Sequence, residues 1–384
     1  MMLRTGAVNE DKNSVRSIKL IFLISVQNSK YSVFYELFGN LFKELTNLRA
    51  DFTILLIKDR QSHYEIPIDF RAEIINGDRL LDYIALNNSD STVFVTVDST
   101  YILNKLYRVI GQVKILVWAH YFFGHRFIFS RYNSIDSFFK IGLKRRYALR
   151  FSEFVPFIII KIISHKYIST LKHSTIISQS IWTDLLLERV YSIRTKGILH
   201  IPVDPEAYYV NTKKREPTIL IFLGNPFETD LHALNTALLS IQEVLRIKAI
   251  DFFGSEETGK IFQQRFTINL RFLGKLERKD LAEEFRSHFL TITPIYNGNF
   301  EMVPIESLLC GTPVVSFIQP FMEVTGQSPM ISNILSCAEI KAKVKMWEQL
   351  ELSTIEQERK KILAVMDKRK VAEQLRDYIH MLYG

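Results

Sequence analysis

The 384-residue chain reads as an α/β protein built of two halves, each a parallel sheet wrapped by helices. Three observations predict this. Short β-rich runs alternate with longer stretches of helical periodicity, the pattern of strands joined by helical crossovers. The pattern occurs twice, and between the two occurrences residues His200 to Pro217 carry three prolines, several charges and no clear periodicity, as a linker does. The length, finally, suits two domains better than one.

In the first half, Ile18 to Ile24 predicts a strand and Val33 to Leu48 an amphipathic helix. Strands follow at Phe52 to Ile57, Thr92 to Val97, Lys114 to Trp118 and Thr175 to Ser178, with a helix at Tyr101 to Ile110 between two of them. The second half repeats the style. Its strands are expected at Thr218 to Leu223, Ala249 to Phe253, Leu270 to Leu273, Phe289 to Thr293 and Pro313 to Phe317. Its helices are expected at Asp230 to Val244, Arg278 to Ser287 and Pro304 to Cys310, and the tail Ile355 to Leu382 has one strong helical pattern. With no short repeat or low-complexity tract, the two similar halves predict two Rossmann-like domains whose sheets face a cleft. Ligands of such open sheets sit beyond the carboxyl ends of the strands.

Composition narrows the classes. Apolar residues make up 47% and charged residues 23%, ordinary values for a globular chain with a full core. The two cysteines, Cys310 and Cys337, form neither a disulfide framework nor a metal spacing and fit a reducing compartment. The first sixteen residues lack the apolar core of a signal peptide and read as a flexible tail. No run of eighteen apolar residues occurs; the longest greasy stretch, Phe154 to Ile163, is interrupted by Pro156 and Lys161. A cytoplasmic protein is expected, with an option of peripheral attachment to the inner face of the membrane. That option rests on charge. The net charge is +8, and between Lys140 and Lys166 there are seven Lys or Arg against one acid, Glu153. Such a surface attracts anions, and its Phe and Ile residues suit an anionic lipid surface. A solvated helix face beside a core helix reads from the same residues. No zinc-finger or RRM signature accompanies the patch, so no nucleic acid is expected. A Walker loop, a G-x-G-x-x-G and a serine elbow are all missing, which leaves kinase, dehydrogenase and hydrolase readings without a motif.

The informative stretch runs from Tyr296 to Val315, Tyr-Asn-Gly-Asn-Phe-Glu-Met-Val-Pro-Ile-Glu-Ser-Leu-Leu-Cys-Gly-Thr-Pro-Val-Val. A strand ends at Pro294 and a polar loop with Asn297, Gly298 and Asn299 follows. Pro304 then suits the first helical position, where a missing N–H costs nothing. Glu306 is expected in the first turn, where the helix dipole favours a carboxylate. Gly311 suits the left-handed residue that ends a helix. A helix N-terminus at a strand's carboxyl end can bind phosphate through its free N–H groups. A carboxylate beside it can grip both hydroxyls of a ribose, so the group suits a nucleoside diphosphate. A plain βαβ connection with a glutamate near the helix start reads from the same residues.

This segment resembles the donor-site motif of the retaining glycosyltransferases of family four, which have the two-domain GT-B architecture. The match lies at Phe300, Met302, Val303, Glu306, Leu308, Cys310, Gly311, Thr312, Pro313 and Val314. Weaker likeness covers His173 to Thr183, the linker at Ile201 to Tyr208, the strand and glycine at Thr218 to Gly224, and Phe272 to Leu281. The resemblance implies an acceptor domain at 17–203, a nucleotide-sugar donor domain at 204–364 and a last helix, 365–384, crossing back to the first domain. It implies that Glu306 holds the ribose. Gly224, Asn225, Lys275, Asn297, Gly298, Asn299, Phe300, Met302 and Val303 would bind the rest of the donor, and His120 and Glu301 would be the catalytic residues.

The expected reaction moves a hexose from a nucleotide diphosphate sugar to a glycan or lipid-linked acceptor, with retention and without a metal. Three departures oppose it. The family's first motif Glu, eight residues before the second, is Gly298 here, with Glu301 displaced by three residues. Its Gly-Arg pair is Gly224-Asn225, and its Lys aligns with Asp230, leaving Lys275 or Arg271 to compensate. The loop Ser25 to Lys30 lacks the family's glycine-rich turn. These losses motivate two alternatives, a noncatalytic GT-B subunit binding a partner or glycan, and a sugar-nucleotide epimerase of the same fold. His120 ends a buried strand, where the family often places a donor-contacting histidine; a capped histidine at a strand end is the plainer reading.

Overall fold

A computed structural model describes residues 18–26, 32–58, 72–97, 100–120, 165–211, 215–224, 226, 229–266, 268–274, 276–295, 301–317 and 320–383. The first six strands are β1 (Lys19–Val26), β2 (Phe52–Lys58), β3 (Ala72–Asn76), β4 (Thr92–Val97), β5 (Lys114–Ala119) and β6 (Thr175–Ser178). They form one six-stranded sheet in the order β3-β2-β1-β4-β5-β6, and every pairing is parallel. The next six, β7 (Glu216–Leu223), β8 (Ala249–Gly254), β9 (Arg271–Phe272), β10 (His288–Thr293), β11 (Val314–Ser316) and β12 (Ile331–Asn333), form a second sheet in the order β12-β11-β10-β7-β8-β9. Both sheets therefore have the doubly wound order of a Rossmann-like domain, and in each the winding reverses between its first and fourth strands. That reversal opens a crevice at the strands' carboxyl ends.

The strands are apolar almost throughout because they are buried on both faces. In β1, Ile21 and Leu23 pack into one core while Leu20 and Phe22 pack into the other. In β7, Ile219, Ile221 and Leu223 face one core and Leu220 the opposite one. The faces are covered by helices α1 (Ser32–Asn47), α2 (Leu80–Asn87), α3 (Thr100–Leu106), α4 (His165–Lys172) and α5 (Ile181–Tyr191) in the first half. The second half has α6 (Leu231–Gln242), α7 (Glu256–Phe266), α8 (Arg278–Ser287), α9 (Met302–Leu309), α10 (Met322–Thr325), α11 (Cys337–Trp347) and α12 (Leu352–Met366). The expected helix at Tyr101 to Ile110 is α3 followed by a 3-10 turn at Tyr107–Val109.

The tail is two helices, not the one that its periodicity predicts. α12 stops at Met366, Asp367 takes an extended conformation with φ −54° and ψ 130°, and α13 (Lys368–Tyr383) begins. The cause is tertiary. Val203 donates its N–H to the Met366 carbonyl at 2.8 Å and accepts from the Lys368 N–H at 3.1 Å, a strand-like bridge that the helix must open to make. Lys368 adds an ion pair to Asp204 at 3.0 Å. The two passages between the halves, one near Val203 and one near Asp367, are thus fastened side by side. Beyond the break, α13 returns to the first sheet, where Val371, Ala372, Leu375 and Ile379 join Leu20, Phe22, Leu116 and Trp118 in one buried cluster.

Because Leu375 is fully buried in that cluster, Leu375→Ala should cost about 3 kcal/mol of stability. A urea titration would read this as a lower midpoint with an unchanged slope. The variant should also become cleavable by protease near Asp367; a wild-type midpoint would contradict the docking.

Candidate functional site

The resemblance motif lies at the reversal point of the second sheet. β10 runs buried through Thr293, and the carbonyl of Pro294 accepts from the Asp230 N–H at 2.8 Å. Asn297, Gly298, Asn299 and Phe300 lie outside the described residues. The helix that follows, α9, begins at Met302, with Glu301 at its N-cap in extended conformation (φ −72°, ψ 124°) and its carboxylate not capping the helix. Two expectations are corrected here. Pro304 is the third helical residue rather than the first; it is tolerated because the N–H groups of a first turn have no acceptor within the helix. Glu306 sits in the second turn, not the first, and the residue is only 5% exposed.

The second half of the motif has a structural explanation. Gly311 adopts φ +76°, its N–H donates to the Leu308 carbonyl at 2.9 Å, and the Thr312 N–H reaches the Ser307 carbonyl at 2.9 Å. These are the two bonds of a Schellman stop, which needs a residue free of Cβ strain. The last carbonyls are taken by guanidinium groups. Arg215 donates to Cys310 at 2.8 Å and to Gly311 at 2.5 Å, and Arg359 donates to Leu309 at 2.5 Å and to Pro205 at 2.7 Å. Two cations at the negative end of the dipole hold a two-turn helix that propensity alone would not sustain. Burial pushes the Cys310 thiol up to about 12, so it stays protonated and acts as a small apolar residue.

Glu306 is not alone. Arg278, the first residue of α8, places Nη2 3.9 Å from its Oε1. The phenol of Tyr208, from the linker, is buried beside the same carboxylate; burial first, and then the Glu306 charge, push its pKa upward. Arg278 and Tyr208 lie within the segments of weaker likeness, Phe272 to Leu281 and Ile201 to Tyr208, but nothing in the sequence singles out either side chain. Gly224 follows β7, the strand beside β10, and its carbonyl accepts from Thr258 Oγ1 at 2.7 Å. Gly224, Met302, Val303 and Glu306 therefore share one end of the second sheet. Asn225 and Lys275 lie outside the described residues. Asp230, at the place of the family's lysine, caps α6 by accepting from His232 and Ala233. Arg271 donates to both Asp251 oxygens, with bonds of 2.9 and 2.6 Å. Asp251, His288 and Glu284 offer ligand atoms within 4.8 Å of one another, but both Asp251 oxygens already accept from Arg271.

His120 follows β5, at the carboxyl end of the first sheet, and is 2% exposed. Its carbonyl accepts from Gln179 Nε2 at 2.7 Å, and its ring lies edge-on to Trp118 at 4.6 Å. Burial lowers its pKa to about 3. Its imidazole is thus neutral at neutral pH, able to exchange hydrogen bonds with a hydroxyl but not to supply a positive charge.

The two rims meet at Glu323 of α10, which accepts from the Ile181 N–H that opens α5. Burial, the larger effect, raises its carboxyl to about 7, against the Ile181 and Trp182 N–H groups, which lower it. Burial thus opposes ionisation, so the group's net contribution to stability is complete below the ordinary carboxylate range and falls as pH rises through 7, while the N–H bonds themselves favour the charged form.

Of the basic region at Lys140 to Lys166, residues 140–164 lie outside the described residues. His165 and Lys166, exposed at the start of α4, line a cavity of about 680 Å³ with Lys105 and Arg108. Among the described residues no helix is long and apolar enough to cross a membrane.

An NMR titration would check the buried imidazole. The His120 ring signals should stay unshifted from pH 8 to pH 5; a midpoint near the ordinary histidine value of about 6.5 would mean that water reaches the ring.

No protein-family model matches the chain, and no curated protein matches it by sequence. Solved structures match it along nearly its whole length. The sucrose-phosphate synthase of Thermosynechococcus elongatus superposes with a TM-score of 0.68 at 11% identity, over 95% of this chain and 99% of that one. A glycosyltransferase from Rickettsia africae gives 0.62 at 12%, over 96% and 99%. A trehalose-6-phosphate protein of E. coli, bound with UDP-2-fluoro glucose, gives 0.62 at 11%, over 95% and 99%. At such identities the likeness is one of fold, and the fold is GT-B: two Rossmann-like domains whose parallel sheets face a cleft.

Proposed function

We propose that this chain is a glycosyltransferase that moves a hexose from a nucleotide diphosphate sugar to a glycan or lipid-linked acceptor, with retention. The observation that carries the reading is the start of α9. At the reversal point of a doubly wound sheet, a helix N-terminus and a buried carboxylate, Glu306, stand together beside Arg278. In this reading Glu306 grips the ribose. The diphosphate lies against the N–H groups of Met302 and Val303, since Pro304 has none, and the loop of Asn297 to Phe300 wraps it. Arg278 supplies the cation that Asn225 and Asp230 do not, and no metal is required. Gly224 lets the donor approach the end of β7 closely, Lys275 borders the base, and Glu301 flanks the reacting centre from the N-cap. His120, neutral, hydrogen-bonds a sugar hydroxyl from the opposite domain. The basic region at 140–166 brings an anionic membrane surface or a lipid-linked acceptor to the cleft.

The second reading, a noncatalytic subunit that keeps the fold and binds a partner or glycan, is favoured by Asp230. It is spent as a helix cap at the place of a basic residue that would neutralise phosphate.

Incubation with radiolabelled UDP-, GDP- and ADP-hexoses and a membrane glycolipid extract separates the two. Label transferred to the extract is expected; a donor that binds without turnover supports the noncatalytic reading. In calorimetry, Glu306→Gln should weaken nucleotide affinity about tenfold or more, the effect of losing charge-assisted hydrogen bonds. Wild-type affinity in that variant would remove Glu306 from the site.

A further inference from the structure

We propose that Glu323 is a positioning residue: it fastens the C-terminal domain to the first turn of α5 and, through His200 and Gln179, fixes the backbone of His120 when the two domains are together. The part that concerns His120 rests on the transferase reading; the part that concerns closure does not.

The contact crosses from one sheet's rim to the other's. α10 follows β11 of the second sheet, and α5 follows β6 of the first. The Ile181 N–H donates to both Glu323 oxygens, 2.9 Å to Oε2 and 3.2 Å to Oε1. Ile181 is the first helical residue of α5, where an N–H has no acceptor within the helix and the dipole favours a negative group. The local cap, Ser180 Oγ, takes the Thr183 N–H at 3.0 Å instead, so the turn is finished by a side chain of the other domain. Around this contact the two domains leave a cavity of about 580 Å³, lined by Asp184, Lys196, Lys370 and Tyr378 among others. The Glu323 carboxylate bridges the two rims beside this cavity.

The connection continues inward. His200 Nδ1 is 3.5 Å from Glu323 Oε1 and 2.9 Å from the Gln179 carbonyl. The Gln179 side chain donates to the His120 carbonyl at 2.7 Å, and its N–H donates to the Ala119 carbonyl at 3.0 Å. Gln179, Ser180 and His120 are all at least 98% buried. In such a place a lost hydrogen bond is not replaced by water, so the turn moves as one piece. Removal of Glu323 takes away the outer prop of the turn that holds His120.

Closure can be read with spin labels on exposed residues of each domain, Leu86→Cys and Leu239→Cys, in a Cys337→Ser background; Cys310 is buried and stays unlabelled. Glu323→Ala should lengthen and broaden the interspin distances. Glu323→Gln, which keeps an acceptor oxygen of equal reach, should stay close to the parent. In hydrogen exchange, Glu323→Ala should speed the Ile181 amide on the order of tenfold or more, and the Gln179 amide with it. A distance distribution unchanged in Glu323→Ala overturns the fastening. Faster exchange at Ile181 with no change at Gln179 overturns the link to His120. Neither readout requires transfer. If transfer is observed, Glu323→Ala should lower kcat and leave donor affinity intact, whereas a failure of the transferase reading leaves both physical readouts standing.

Discussion

A parallel sheet has to be covered on both faces, and the first sheet of this chain is covered on one of them by the last helix. This constraint sets the architecture. α13 cannot reach the first domain unless the chain leaves the second domain beside the place where it entered, and there the bridge of Val203 to Met366 and Lys368 breaks a helix that would otherwise run on. The two crossings thus run side by side, joined by hydrogen bonds and by the Lys368–Asp204 ion pair. Among the described residues, the carboxylate of Glu323 reaches from one rim to the other.

The site follows the same economy. α9 is only eight residues long, and its direction is fixed from its rear, by the Gly311 stop and by two arginines on its last carbonyls. Its front is thereby free to present N–H groups and Glu306 where the winding of the sheet reverses. The most recognisable part of the motif, Cys310 to Pro313, is the anchorage; Met302, Val303 and Glu306 lie at the other end, where we propose that the donor binds. A segment can therefore keep its signature while one of its positions changes, as Gly298 does where the resembled motif has Glu.

Much of the fold was legible because apolar strands and helical periodicity are local signals. β4, β6 and α8 match their expected spans, and the other expected strands and helices shift by one to four residues at their ends. β3 escaped because its edge position leaves it half exposed, and β12 because it is three residues long. The break at Asp367 escaped because its cause is Val203, far away in sequence, with neither glycine nor proline to announce it. The candidate site divides similarly. Glu306 and its helix are contiguous and could be read, whereas Arg278, Tyr208, Gln179 and Glu323 come together only through the sheets. Pro304 misled for a local reason: the first three helical positions all tolerate a missing N–H, and sequence does not say which is occupied.

The docking of α13 also governs how the molecule comes into being. Leu20, Phe22 and Trp118 are translated long before Val371 and Ile379, the residues that cover them. During synthesis the first domain emerges with this apolar face covered only in part, by Leu41, Phe42 and Leu45 of α1, and it stays so until the second domain has been made. The nascent chain in that interval is an aggregation risk and a natural client for chaperones. Cutting the gene at the linker would preserve that unfinished state instead of yielding a small independent domain.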